Sequence, residues 1–461
     1  MSGERQNNQL ELAFPEESRG EAPMVSRRGT EPHAEERKTE DPADTEYLME
    51  EVCRRENLEK ALKRVQNNRG SPGIDGMTVE ELPDYLKEHW PAIREQLLGD
   101  TYQPQPVKRV EIPKLGGGMR KLGIPTVLDR FIQQAILQVL QPRWDPTFSD
   151  HSYGFRPGRR AHQAVARAQQ YIAEGYRWVV DIDLEKFFDT VNHDWLVGRV
   201  ARRVEDKRLI RLVRRYLRAG VLEDGLVSPI DKGTQQGGPL SPLLSNLVLD
   251  ELDRELEKRG HRFVRYADDC NIYVRSERAG HRVMDSISKF ITKKLKLRVN
   301  EAKSAVGRPW ERKFLGFSFT NGKEPKRRIS PEAQEKFKKR VKELTRRSRG
   351  VSTEQMVADL ARYLSGWIGY FGYCQTPSVL RDLDSWIRRR LRCAVWKQWK
   401  RGRTRFDELA KRGVSRDLAA QTAGSCHSMW HLSRSPALSF ALPNDFFRPL
   451  GLPCLKDSLF E

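Results

Sequence analysis

Apolar positions along this chain follow two regimes, and the change between them falls near Pro331. Up to there, short alternating runs are interspersed with stripes of period 3.6; beyond it the helical period prevails. In "YLMEEVCRRENLEKALKRVQNNRGSPGIDG", from Tyr47, the residues Leu58, Leu62 and Val65 share one stripe among good helix formers, and Gly70 and Pro72 stop it. "VKRVEIPKLGGGMRKLGIP" is a β-run interrupted by three glycines and resumed, the pattern of a hairpin with a mobile tip. Leu128, Phe131, Ile132, Ala135, Ile136 and Val139 then fall on one face of an amphipathic helix.

The middle of the chain alternates. "RWVVDIDLEKFFDTV" starts as a buried β-run and turns helical, "GTQQGGPLSPLLSNLVLDELDREL" is a glycine-rich loop opening a helix, and "RFVRYADDCNIYVRS" alternates as a hairpin does. "LKLRVNEAKSAVGRP" and "RKFLGFSFT" add short strands. Strands mixed with helices and closed by hairpins predict an α+β domain built on an antiparallel sheet. After Pro331, Phe337, Val341 and Leu344 recur at helix spacing, as do Leu383, Ile387, Leu391 and Val395; from about Trp396 the period fades into a small appended module.

Charge sharpens this division. The 461 residues carry a net +20 with a pI near 9.7, which points to a polyanionic partner. Residues 1–50 hold thirteen acidic and six basic side chains, so the rest of the chain carries +27. Residues 1–46 lack sustained periodicity and form a polar leader expected to be disordered. The leader has no apolar core of the signal-peptide kind, and no later run is long and apolar enough to span a bilayer, so a soluble, cytoplasmic protein without a membrane partner is expected. Residues 331–405 carry nineteen Lys or Arg against seven Asp or Glu, interleaved with Trp367, Tyr370, Phe371, Trp386, Trp396 and Trp399; most of these aromatics belong to a core, but basic helices with aromatics also suit a nucleic-acid clamp. The six cysteines form no C-x-x-C pair, which argues against a zinc ribbon or a disulfide framework, and Cys426, His427 and His431 lack a partner pair.

Two bare carboxylates, Asp268 and Asp269, stand at the bend of the "RYADDCNIYV" hairpin, where their mutual repulsion makes a poor turn. A divalent cation shared with a third carboxylate removes that cost. Mg²⁺ prefers few protein oxygens and completes its shell with water and phosphates, and a pair of such ions serves in-line phosphoryl transfer. "VVDIDLEKFFD" is the source of the third ligand: Asp181 and Asp183 share a strand face, and spacing alone does not choose between them.

"YADD", preceded by "DIDLEKFFDTVNHD" and "GTQQGGPLSPLLSN" and followed by "KFLGFSF", resembles the palm of a reverse transcriptase. "SYGFRPGRRAHQAV", "RPWERKFLGFSF" and "YLSGWIGYF" narrow the resemblance to bacterial group II intron-encoded reverse transcriptase/maturases, and the compact length and "RRRLR...WKQWK" tail resemble the group IIC-like branch. The resemblance implies a right-hand polymerase: fingers and palm at 47–330, an α-helical thumb or maturase X domain at 331–395, and a DNA-binding domain at 396–461. The family's Asp, four residues, Phe, Asp pattern fits Asp183, Phe188 and Asp189 and selects Asp183. Asp183, Asp268 and Asp269 are then the catalytic and metal-binding set, holding two Mg²⁺ ions.

By the same resemblance Phe188 packs under the sugar and rejects a 2′-hydroxyl, Lys114 and Arg120 flank the glycines of the finger hairpin to close on the dNTP phosphates, Gln236 lies in the loop that nears the nucleotide, and Lys303 protonates the leaving pyrophosphate. Gln235 departs from the family, which usually has Pro there. Arg388, Arg389, Arg390, Lys397, Lys400 and Arg401 are the implied RNA- and DNA-binding residues. The partners implied are intron RNA in a ribonucleoprotein, a primer-template duplex, target DNA and dNTPs, with nucleoid association during insertion. No H-N-H endonuclease pattern is found, so priming from nascent strands at a replication fork is expected. Rival readings are an RNA-binding splicing cofactor without polymerisation, and the reverse transcriptase of a retron or defence element.

Overall fold

In a computed structural model, which describes residues 45–113, 119–223, 226–228, 233 and 237–455, the stripe of Leu58, Leu62 and Val65 becomes the buried face of the helix Arg55–Asn68. It packs on the helix Val127–Trp144, whose N-terminus is capped by Thr126 Oγ1 accepting from the Asp129 amide. Phe131, Ile132, Ala135, Ile136 and Val139 are buried there, while Leu128 is half-buried. A polar bolt crosses the contact: Asn57 Nδ2 donates to the Ala135 carbonyl (3.1 Å), and Gln138 Nε2 donates to Asn57 Oδ1 (2.7 Å). Such bonds fix the pitch of two apolar faces that would otherwise slide.

Ten strands are present among the described residues: β1 (Val107–Pro113), β2 (Met119–Ile124), β3 (Trp178–Ile182), β4 (Val221–Glu223), β5 (Leu226–Ser228), β6 (Arg262–Tyr266), β7 (Asp269–Val274), β8 (Ala305–Gly307), β9 (Phe317–Phe319) and β10 (Arg327–Ile329). The glycine-interrupted run forms the antiparallel hairpin β1–β2, with Lys108 opposite Ile124 and Pro113 opposite Met119. Two short strands not expected from the pattern extend it into a sheet of order β2-β1-β4-β5. A second sheet has the order β6-β7-β3-β8. The helix Ser241–Lys258 turns Leu243, Leu247, Leu252 and Leu256 inward against β6. Of "LKLRVNEAKSAVGRP", expected to supply a short strand, Ala305–Gly307 forms β8, while Val299 makes only an isolated bridge with Leu184. Its pairing ends because Asn300 O is taken by the amides of Lys303 and Ser304, which bends the chain into a turn.

The chain divides into two compact units: residues up to Ala164 with Val180–Val306, and Val165–Val179 with Gly307 onward. The first is the α+β part. The second is mainly helical, with Pro331–Leu344, Thr353–Phe371, Pro377–Gln398 and Gly402–Lys411. The expected interleaving of aromatics resolves into a core: Phe337 and Trp367 stand 4.3 Å apart between ring centroids, and Trp367 and Phe371 4.9 Å, with Phe317 of β9 against Phe371 at 5.4 Å. Trp396 is wholly buried. Among the described residues no helix is long and apolar enough to cross a membrane.

Candidate active site

The β6–β7 hairpin closes on a two-residue turn. Tyr266 pairs with Asp269, leaving Ala267 and Asp268 at the tip; Asp268 is half-buried and Asp269 exposed. β7 lies beside β3 in the sheet. The buried Cys270 thiol, second residue of β7, is pushed up first by burial and then by the charge of Asp253, and it lies within electrostatic reach of Asp181 and Asp269. The end of β3 therefore stands beside the start of β7, and Asp183, one residue past β3, is brought to the same edge as the Asp268–Asp269 turn.

The segment 298–304 brackets Asp183. Its amide donates to Ser304 Oγ (3.0 Å) and its carbonyl accepts from the Asn300 amide (2.8 Å), while the Glu185 amide donates to the Arg298 carbonyl (2.8 Å). This docking carries Lys303 Nζ to 3.5 Å from Asp183 Oδ2. The contact joins residues 120 positions apart and sets a cation against one of the three candidate carboxylates. Three carboxylates repel one another, and Asp183 is neutralised here by Lys303. Among the described residues, no group of three or more Asp, Glu, His or Cys side chains stands close enough to hold a metal ion by itself. The donor chemistry nonetheless suits a hard cation: all three candidate groups are carboxylates, all are at least partly exposed, and all lie at one end of one sheet.

Phe188 is half-buried, its ring edge-on to the buried Phe187 at 5.2 Å. It sits in the short helix Phe187–Thr190, entered through Lys186 in a left-handed conformation (φ 47°). Gly233 lies against this helix so tightly that a Cβ there would be 2.7 Å from the Phe188 carbonyl oxygen, at a φ of +99° that favours glycine. His193 Nε2 lies 2.6 Å from the Gly233 carbonyl, the length of a hydrogen bond, and the Gly233 amide donates to the Val191 carbonyl (2.7 Å). Further along, a Cβ on Gly237 would meet the Gly123 carbonyl oxygen at 2.4 Å. Gly233 thus sits against the Phe188 helix, and Gly237 against β2. Lys114, Gln235 and Gln236 fall outside the described residues, as does the side chain of Arg120, although its backbone pairs with Ile112.

In the second unit the basic candidates separate. Arg388, expected on a nucleic-acid-binding face, is instead buried at 5% exposure, with Nη2 3.2 Å from Asp384 Oδ2. It lies one turn after Asp384 on the inward face of Pro377–Gln398, where the ion pair limits the cost of desolvation. Arg389 stacks on Trp430 (3.7 Å to the ring centroid) and donates to its carbonyl, and Arg390 Nε donates to Thr345 Oγ1 (2.7 Å). Lys397, Lys400 and Arg401 are exposed.

Two family models match this chain. Residues 112–319 match the model described as "Reverse transcriptase (RNA-dependent DNA polymerase)", and residues 334–413 match "Group II intron, maturase-specific domain". The two occur in one chain and in this order. The chain belongs to the group II intron-encoded reverse transcriptase/maturases. Protein YkfC of Escherichia coli is 38% identical over 218 residues, covering 46% of this chain and 57% of that protein. The group II intron-encoded protein LtrA of Lactococcus lactis subsp. cremoris is 36% identical over 195 residues, 42% of this chain and 32% of that protein. The nuclear intron maturase 2 of Arabidopsis thaliana mitochondria is 30% identical over 177 residues, 30% of this chain and 24% of that protein. The match thus spans about half or less of the length of these curated relatives. The reverse transcriptase match encloses Asp183, Phe188, Asp268, Asp269 and Lys303; the maturase match encloses Arg388 to Arg401.

Several residues that shape this candidate site escape a motif reading. His193 bonds the Gly233 carbonyl, and Ser152, Asn246, Asp253 and Arg265 form a buried polar cluster under the Asp268 turn. The available signal is an arginine inside the apolar strand "RFVRY", a place where a charge survives only if fully paired.

Proposed function

We propose that this chain is an RNA-directed DNA polymerase that copies intron RNA into DNA by target-primed synthesis and, as a maturase, binds that RNA to promote splicing. The observation that carries the reading is the arrival of Asp183, with Lys303 at 3.5 Å, at the edge where the β6–β7 turn holds Asp268 and Asp269. Fingers and palm correspond to 47–330, the thumb to 331–395, and the DNA-binding module to 396–461.

Asp183, Asp268 and Asp269 are the residues that would hold two Mg²⁺ ions. Bound there, the ions supply charge neutralisation for the triphosphate and a lowered pKa for the primer 3′-hydroxyl. The chain's own residues do the rest. Phe188, held by Phe187 beneath and Gly233 behind, presents a bulky edge to the sugar and disfavours a 2′-hydroxyl. Lys303 is a proton donor for the leaving pyrophosphate: Asp183 holds its ammonium at this edge until phosphate oxygens replace that partner. Lys114, Arg120 and Gln236 complete the dNTP contacts. Lys397, exposed in the last turn of Pro377–Gln398, and Lys400 and Arg401, exposed just past it, contact phosphates of intron RNA or target DNA.

The test is primer extension on an RNA template with dNTPs and Mg²⁺, comparing the parent with Asp268→Ala. Extension by the parent alone supports the polymerase. Absence of extension by both, with intron RNA binding retained, would leave only the maturase.

A further inference from the structure

Asp268 and Asp269 hang from a turn that its own sequence does not favour. Of the two central residues, Ala267 has φ +56° and Asp268 does not have a positive φ. That is the pattern of a type II′ turn, whose first central position is normally glycine. An alanine Cβ crowds the neighbouring carbonyl there, so groups outside the turn must hold it.

Arg265 is placed to do so. Its side chain is 0% exposed, and its five N–H donors meet five acceptor contacts. Nε donates to Asp253 Oδ1 (2.8 Å), and Nη2 to Asp253 Oδ2 (2.5 Å) and Ser152 Oγ (2.7 Å). Nη1 donates to Asn246 Oδ1 (3.0 Å) and to the Ala267 carbonyl (2.9 Å). Asn246 and Asp253 are seven apart, hence on one face of Ser241–Lys258.

The opposite side of the turn is also closed. Residues 151–153 bond to the Arg265 backbone, which brings Gly154 so near that a Cβ would lie 2.2 Å from the Ala267 amide nitrogen. Asn246 Nδ2 donates to the Gly154 carbonyl (2.9 Å), so one side chain serves both halves of the clamp. The carbonyl that Arg265 grips belongs to the Ala267–Asp268 peptide, and fixing it sets the direction in which Asp268 leaves the turn. Asp253 neutralises the guanidinium, so Arg265 acts here through geometry rather than through its field.

We propose that Arg265 is a positioning residue of the polymerase centre: by locking the Ala267–Asp268 peptide it holds Asp268 and Asp269 in the geometry that binds metal. This rests on the reading of those two aspartates as metal ligands. Ser152, Gly154, Asn246 and Asp253 are its supporting partners. Groups that orient metal ligands typically govern about 10- to 100-fold in affinity or activity.

The test uses the full chain with an RNA template annealed to a dideoxy-terminated DNA primer, and Mn²⁺ as the probe, with free Mn²⁺ read by electron paramagnetic resonance. Arg265→Lys keeps a charge for Asp253 but cannot span Asp253, Asn246, Ser152 and the turn together. It should weaken Mn²⁺ about tenfold or more and lower kcat by about 100-fold, with duplex affinity unchanged. Parent-like Mn²⁺ binding in folded Arg265→Lys overturns the proposal. Adding Ala267→Gly, which lets the turn take positive φ unaided, should restore part of the Mn²⁺ affinity; no restoration would overturn the role of the clamp.

Should Arg265→Lys fail to unfold cooperatively, Asn246→Ala carries the test, because it leaves the buried ion pair intact. A several-fold loss of Mn²⁺ affinity supports the clamp, and none overturns it. Asp268→Asn separates the two levels: unchanged Mn²⁺ binding in that variant sinks the metal reading itself, whereas its loss beside parent-like Arg265→Lys and Asn246→Ala sinks only the clamp.

Discussion

Gly233→Ala is a sharp perturbation because two separable costs meet at that position. The first is backbone strain: φ is +99°, and an L side chain in left-handed backbone costs about 1–2 kcal/mol. The second is contact. The new Cβ would stand 2.7 Å from the Phe188 carbonyl oxygen and 2.9 Å from Asp189 Cα, both backbone atoms that cannot swing aside. Overpacking of this kind costs about 1–3 kcal/mol.

Gly76→Ala is the control, for Gly76 has φ +73° and an added Cβ there would meet nothing within 4 Å, so it bears the strain alone. The unfolded-state gain from replacing glycine is common to both and cancels in the difference. Urea unfolding followed by tryptophan fluorescence should therefore place Gly233→Ala about 1–3 kcal/mol below Gly76→Ala. Single-nucleotide insertion with dNTP and rNTP reads the second consequence: a displaced Phe188 should lower discrimination against the ribose about tenfold, which is about 1.4 kcal/mol. Equal stability of the two variants, or undiminished discrimination in Gly233→Ala, would refute the tie between Gly233 and Phe188.

Lys303→Met should leave stability within about 1 kcal/mol, since the Lys303 side chain is largely exposed, but lower single-turnover insertion at saturating dNTP by about 10²-fold or more; a parent-like rate would remove Lys303 from proton transfer. Replacing Lys397, Lys400 and Arg401 together with alanine should weaken RNA binding uniformly across sequences and flatten the salt dependence of log K by about 2–3 units; an unchanged slope in filter binding would show that they meet no phosphates. Burial, followed by the charge of Arg259, holds the His261 imidazole below the ordinary value of 6.5. Its contribution to stability is full above pH 6.5 and is lost as the pH falls through the folded value. His261→Gln should flatten the stability profile across that window, and an unaltered profile would show that other groups set it.

Local pattern was enough to read most of the elements and their class, though not the short strands β4 and β5. Period-2 alternation in "RFVRYADDCNIYV" and the interrupted run around Gly116–Gly118 mark hairpins, and the stripes of Phe337, Val341 and Leu344 or of Leu383, Ile387 and Leu391 mark helices. In each case the signal repeats within one element. The motif order across "DIDLEKFFD", "GTQQGGPLSPLLSN" and "YADD" was equally legible, because chemistry at a strand end or turn needs particular residue types in sequence. Partners were not legible. Periodicity says which face of an element is apolar, but the acceptor a buried charge finds depends on chain segments far away. Arg265 reaches Ser152, more than a hundred residues earlier; Lys303 reaches Asp183; and Arg388, one of a run of three arginines, turns inward to Asp384 while Arg389 lies on Trp430. A buried donor left without a partner bears its full desolvation cost. Which acceptors come within range is set by the packing of distant segments, and with it, which charges remain to meet nucleic acid.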